Sequence, residues 1–131
     1  MTCHHITGFF YQLYDIIHDV WTLSRQGTEY KIKISSNRAT NDGDLVRRWC
    51  VAGKGLSVKS CLDMSTDLLS GNIVSIMPEF KPTPTELWLI CPSRQLITPA
   101  VRLLRDTFKK KCTGILRQLV EQGILDDSGL T

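Results

Sequence analysis

Between Val20 and Ser36 apolar and polar residues alternate on both sides of a short connector. Trp21 and Leu23 alternate with Thr22 and Ser24, and after Arg25-Gln26-Gly27-Thr28 the residues Tyr30, Ile32 and Ile34 alternate with Lys31, Lys33 and Ser35. Period two around a glycine-containing turn predicts a β-hairpin with one buried face, which sends Lys31 and Lys33 to water. From Asn41 to Ser60 the period changes. Leu45, Val46, Trp49, Cys50 and Ala52 make one face of a helix, with Arg47, Arg48 and Lys54 outward. Asn41 and Asp42 suit its N-cap, because their side-chain oxygens can accept the free N–H groups of the first turn. Asp42 and Asp44 also suit the positive end of the helix dipole. Gly53 fits the left-handed residue that ends a helix, and Gly55 permits a tight turn. Leu56 and Val58, alternating with Ser57 and Lys59, then predict a short half-buried strand.

Further on, Leu62–Leu69 reads as a short helix stopped at Ser70-Gly71, followed by a strand over Ile73–Met77. Pro78, Pro82 and Pro84 punctuate a stiff connector, and Glu86–Cys91 reads as another buried strand. Thr98-Pro99 is a helix start, an N-cap hydroxyl with proline at the first helical position. Val101, Leu104 and Phe108 are its apolar stripe, with Arg102, Arg105 and Lys109-Lys110-Lys111 facing solvent. Cys112-Thr113-Gly114 is expected to break that helix, and Ile115, Leu116, Leu119 and Val120 to restart it, with a loose tail from Asp126. At the other end, apolar residues at 9, 10, 13, 16, 17 and 20 have helical spacing.

Composition narrows the function classes. The 131 residues hold one domain, or two lobes sharing a core, with 42% apolar and 22% charged residues. A net charge of +3 implies no nucleic-acid partner unless the cations cluster. No apolar run approaches the roughly 20 residues of a membrane span. The first 20 residues lack the basic start and unbroken apolar core of a signal peptide, so a cytoplasmic location is expected. Cysteines at 3, 50, 61, 91 and 112 are odd in number and irregular in spacing, which predicts buried thiols in a reducing compartment. Cys3-His4-His5 lacks zinc-type spacing, and no metal or other cofactor is expected. The histidines, at 4, 5 and 18, lie far from the capped helix, and no nucleophile elbow or phosphate loop occurs, so no enzyme is expected. A helix N-terminus after a strand can hold a carboxylate, but Asp42 and Asp44 stand at that same end. On the residues alone, an ordinary capped helix and a ligand site remain equally open.

The order of these segments adds a resemblance. The hairpin, the NDGDL helix, the AGKGL turn, DLLSGNIV, MPEF, ELWLICPSR and TPAVRLLRDTF follow one another over Val20–Lys111. This succession resembles the C-terminal part of the effector-binding domain of LysR-type transcriptional regulators. The resemblance implies an α/β fold like the second lobe of a type 2 periplasmic binding protein, a mixed sheet flanked by helices. It implies a small-molecule effector in an interlobe cleft, with Thr40, Asn41 and Asp42 as the ligand-facing residues. It divides the chain into a leader over 1–19, a second-lobe-like core over 20–85, a returning strand and helix over 86–112, and an extra helix and tail over 113–131. Lys59-Ser60 stands where many members carry leucine and proline. Nothing upstream resembles the family's winged helix, so direct DNA binding by this chain is not expected. Most of the first lobe has no counterpart either. The strand at 87–91 must then fold back, pair with residues 1–20, or pair with another chain. An unpaired apolar strand is a liability in a monomer, so a homodimer or a partner regulator is expected through 87–91.

Overall fold

The computed structural model of the chain describes residues 8, 10–13, 16–84 and 86–127, with 10–13 and 16–18 described by backbone only. Its centre is the predicted hairpin. Strand β3 (Val20–Arg25) pairs antiparallel with β4 (Thr28–Lys33), from Val20 opposite Lys33 to Arg25 opposite Thr28. The two turn residues, Gln26 and Gly27, have φ of 49° and 79°. That is the left-handed pair a two-residue type I′ turn requires, and it matches the twist of the flanking strands. Lys31 and Lys33 are exposed, while Leu23 and Ile34 are buried. Tyr30 is exposed too, and meets the ring of Phe80 edge-on at 5.5 Å, with Arg25 over the same Phe80 ring at 5.3 Å.

Two small sheets organise the remainder. The first has the order β4-β3-β6, where β6 (Lys81–Pro82) pairs with Leu23 and Ser24 of β3. The second has the order β2-β1-β5. Here β1 (Phe10–Leu13) pairs antiparallel with β2 (Ile16–His18) and parallel with β5 (Ala39–Thr40). The helical spacing expected over Phe9–Val20 is therefore corrected: its described backbone is strand. The aromatic and β-branched residues there favour extended chain, and β5 offers them an edge. Cys3-His4-His5 lies outside the described residues.

Three α-helices follow among the described residues: α1 (Gly43–Val51), α2 (Ser65–Ser70) and α3 (Pro99–Glu121), with a short 3-10 turn at Arg94–Leu96 before the last. Each ends in the same glycine motif, in which the N–H groups of the left-handed glycine and its successor fold back onto helix carbonyls. The pairs are Gly53 to Cys50 and Lys54 to Trp49, Gly71 to Leu68 and Asn72 to Asp67, Gly123 to Val120 and Ile124 to Leu119. The stops expected at Gly53 and Gly71 are thus present, and so is the Thr98-Pro99 start, where Thr98 Oγ1 accepts from the Val101 N–H at 3.4 Å. The break expected at Cys112–Gly114 is absent, because α3 runs straight through it. An interior glycine costs a helix only about 1 kcal/mol, and the lysines before it and Leu116, Arg117 and Gln118 after it are good helix formers.

Three expected strands are also corrected. Leu56 makes one parallel bridge, to Gly8, and Val58 belongs to no strand. Ile73–Met77 and Glu86–Cys91 are irregular. They have no sheet neighbour among the described residues, and most of their apolar residues stand open to solvent, Leu87 at 78% and Ile90 at 85%, while Ile73 and Cys91 are half-buried. The core among the described residues is small: Leu23, Ile34, Val46, Met64 and Leu119.

Candidate functional site

The segment Thr40–Asp42 joins the end of β5 to the start of α1, and its local chemistry explains its shape. Thr40 Oγ1 accepts from the Asp42 N–H at 3.0 Å, which closes a tight turn out of the strand. Asp42 is the N-cap. Its Oδ1 accepts from the N–H of Asp44 at 2.9 Å and of Leu45 at 3.3 Å, satisfying two of the helix's free donors. Of the three residues named from the sequence, Asp42 is therefore committed to capping and Thr40 is half-buried. Asn41 is exposed, and its side-chain amide makes no hydrogen bond among the described residues.

Lys59 was expected on the polar side of a strand. Instead its half-buried ammonium donates to the Gly43 carbonyl at 3.1 Å and pairs with Asp63. Gly43 makes this approach possible, since a Cβ there would lie 2.9 Å from Lys59 Nζ. A cation beside the positive end of a helix is unfavourable by itself. Asp42, Asp44 and Asp63 offset it. The Lys59–Asp63 spacing of four was visible in the sequence, but the approach to Gly43 spans 16 residues and had no local signal. Arg38, just before β5, lies over the Trp49 ring at 5.6 Å and ties the entry of the segment to α1.

A charged clamp holds α1 in place. Arg47 Nε meets Asp44 Oδ1 at 2.9 Å, and its Nη1 meets Asp67 Oδ2 on α2 at 2.7 Å. Asn72 Nδ2 donates to the other Asp67 oxygen at 3.4 Å. The hydrogen bond from Arg47 holds the Asp67 carboxyl below the usual carboxylate range, against the opposing effect of burial. The same guanidinium lowers Asp44, and both acids raise Arg47. A carboxyl with a lowered folded pKa contributes stability that is complete at neutral pH and is lost as pH falls through that lowered value. Asp67→Asn is therefore expected to lower the melting temperature at pH 7 and to flatten its decline below about pH 4. An unchanged acid slope in thermal melts would exclude Asp67 as a contributor.

Among the described residues no group of three His, Cys, Asp or Glu side chains could hold a metal ion, and no helix is long and apolar enough to cross a membrane. Cys50, Cys61, Cys91 and Cys112 are free thiols, and Cys50 Sγ lies 3.0 Å from Ser57 Oγ. The arrangement offers hydroxyl, amide and backbone groups beside a cation.

Comparison with known proteins gives the family. The family described as LysR substrate binding domain matches residues 16–113. Three relatives come from Escherichia coli strain K12. The HTH-type transcriptional regulator DmlR is 31% identical over 84 residues, 64% of this chain and 27% of the relative. The HTH-type transcriptional activator TtdR is 29% identical over 76 residues, 58% of this chain and 24% of the relative. The putative LysR family substrate binding domain-containing protein YagP is 29% identical over 90 residues, 69% of this chain and 66% of the relative. The chain thus spans about a quarter of the length of the two regulators. No solved structure matches. The matched range takes in the hairpin, Thr40–Asp42, all of α1 and α2, and α3 as far as Thr113. With its mixed α/β architecture, the chain belongs to the LysR substrate-binding domain family, whose fold is that of the periplasmic binding proteins.

Proposed function

We propose that the chain is a cytoplasmic small-molecule effector-binding module of LysR-type regulation, with Thr40, Asn41 and Asp42 facing the effector. The observation that carries this reading is the exposed, hydrogen-bond-rich junction of β5 and α1 inside the range matched by a substrate-binding family. Thr40 and Asp42 hold the loop, and Asn41 presents an exposed amide that can donate and accept. The reading gives these residues neither catalysis nor DNA contact. Isothermal titration against a panel of small organic acids tests it. Asn41→Ala is expected to weaken binding about tenfold, the value of roughly one hydrogen bond to a charged group. Unchanged affinity in that variant removes the site assignment.

A second reading starts from one observation, the exposure of Leu87, Trp88 and Ile90. In it the chain is an interaction module that pairs with itself or with a longer regulator through 87–91. Light scattering at micromolar concentration separates self-pairing from the alternative.

A further inference from the structure

α1 joins two stretches of chain that run the same way. Before it, Ala39 and Thr40 of β5 lie parallel to Phe10 and Tyr11, and after it Leu56 lies parallel to Gly8. In open α/β sheets, ligands bind in the crevice outside the carboxyl ends of parallel strands. Thr40 is the carboxyl end of β5. Counted in step from Leu56 opposite Gly8, Lys59 comes level with Tyr11, the partner of Thr40. The contact of the Lys59 ammonium with the Gly43 carbonyl, at 3.1 Å, shows that the two ends meet.

Gly43 and Lys59 are matched. Gly43 is not among the glycines of this chain with positive φ, so its backbone conformation suits an ordinary side chain. The ammonium is what needs the glycine, because a Cβ there would lie 2.9 Å from Lys59 Nζ. The Lys59 side chain is only 17% exposed, and its second partner is Asp63. Arg47 and Arg48 on α1 are turned away to Asp44 and Asp67. Lys59 is thus a cation held on the junction by its backbone as well as by an acid.

We propose that Lys59 is a positioning residue of the effector site. It acts through the Gly43 carbonyl, which fixes the first turn of α1 and with it the Asn41 amide just before. Thr40 and Asp42 tie the turn to itself, whereas Lys59 ties it to the chain that leaves α1. A turn ordered before binding spares the complex the cost of ordering it. The proposal rests on the effector-binding reading above and adds the residue that prepares the site.

Two substitutions in the whole chain break the contact from opposite sides. Lys59→Met keeps the length of the side chain and removes its donors. Gly43→Ala keeps the lysine and displaces its flexible end. Without any small molecule, Lys59→Met is expected to speed hydrogen exchange at the Asp44 and Leu45 amides about tenfold and to leave the β3–β4 ladder unchanged. In titrations against the panel of small organic acids, each single change is expected to weaken binding by about tenfold, near the share of one charge-assisted hydrogen bond. The double variant should lose no more than either single one, because both act on one contact. Losses that add give Lys59 a direct contact with the acid instead and overturn the proposal. So does a Lys59→Met chain that binds as the wild type does, and in both cases the effector reading stands. Unchanged exchange at Asp44 and Leu45 overturns the route through Gly43. A wild-type chain that binds no acid of the panel removes the effector reading, and the proposal falls with it.

Discussion

Leu119→Ala is expected to lower the unfolding free energy by about 2–5 kcal/mol, the range for truncating a fully buried leucine. Leu119 is 0% exposed and lies near the end of α3, a helix in contact with α2. The substitution isolates packing from backbone effects. The Leu119 carbonyl accepts from the Ile124 N–H at 2.9 Å and the Leu125 N–H at 3.3 Å, and alanine keeps both bonds. Against a total stability of about 5–15 kcal/mol for a domain, such a loss moves the midpoint of a urea titration far toward zero. A change below about 1 kcal/mol would mean that α3 does not anchor the core through this residue.

Gly8→Ala is expected to cost about 1–3 kcal/mol by overpacking. Gly8 is buried and bridges in parallel to Leu56. A Cβ at Gly8 would lie 2.4 Å from Ile34 Cγ2 and 2.9 Å from Trp21 Cζ2. Ile34 is 3% exposed, and its N–H donates to the Asp19 carbonyl at 2.7 Å, so its backbone is held and its buried side chain has little room to turn aside. The cause can be checked by coupling. Ile34→Ala removes the opposing methyl, and the double variant should lose less than the sum of the single losses. Strict additivity in chemical denaturation would show that the close approach is not the source of the cost.

What was legible in the sequence is what local chemistry determines. The Gln26-Gly27 hairpin, the Asp42 cap, the Thr98-Pro99 start and the glycine stops all depend on residues within one turn of each other. Strands depend on partners. The segments at 73–77 and 86–91 have strand composition, yet no neighbour among the described residues completes them. Residues 10–13 and 16–18 have helical spacing, yet pair as strands, with Phe10 and Tyr11 on β5. The continuity of α3 through Gly114 shows long flanking runs of helix formers outweighing one weak residue. At the site, the cap was readable from Asn41-Asp42, whereas the assignment of Thr40–Asp42 to a ligand came from resemblance. Neither Lys59 against Gly43 nor Arg47 against Asp67 had a local signal, because 16 and 20 residues separate the partners.

β5 is only two residues long, and in its sheet its neighbour is β1, through Phe10 opposite Ala39 and Tyr11 opposite Thr40. Residues before the hairpin are therefore part of the scaffold of Thr40, and trimming the chain to begin at Val20 would free the strand that aims the loop. By linkage the dependence runs both ways. An effector at Thr40 and Asn41, as proposed, would also stabilise the pairing of β5 with β1, so Phe10 and Tyr11 become reporters of occupancy some thirty residues away in sequence.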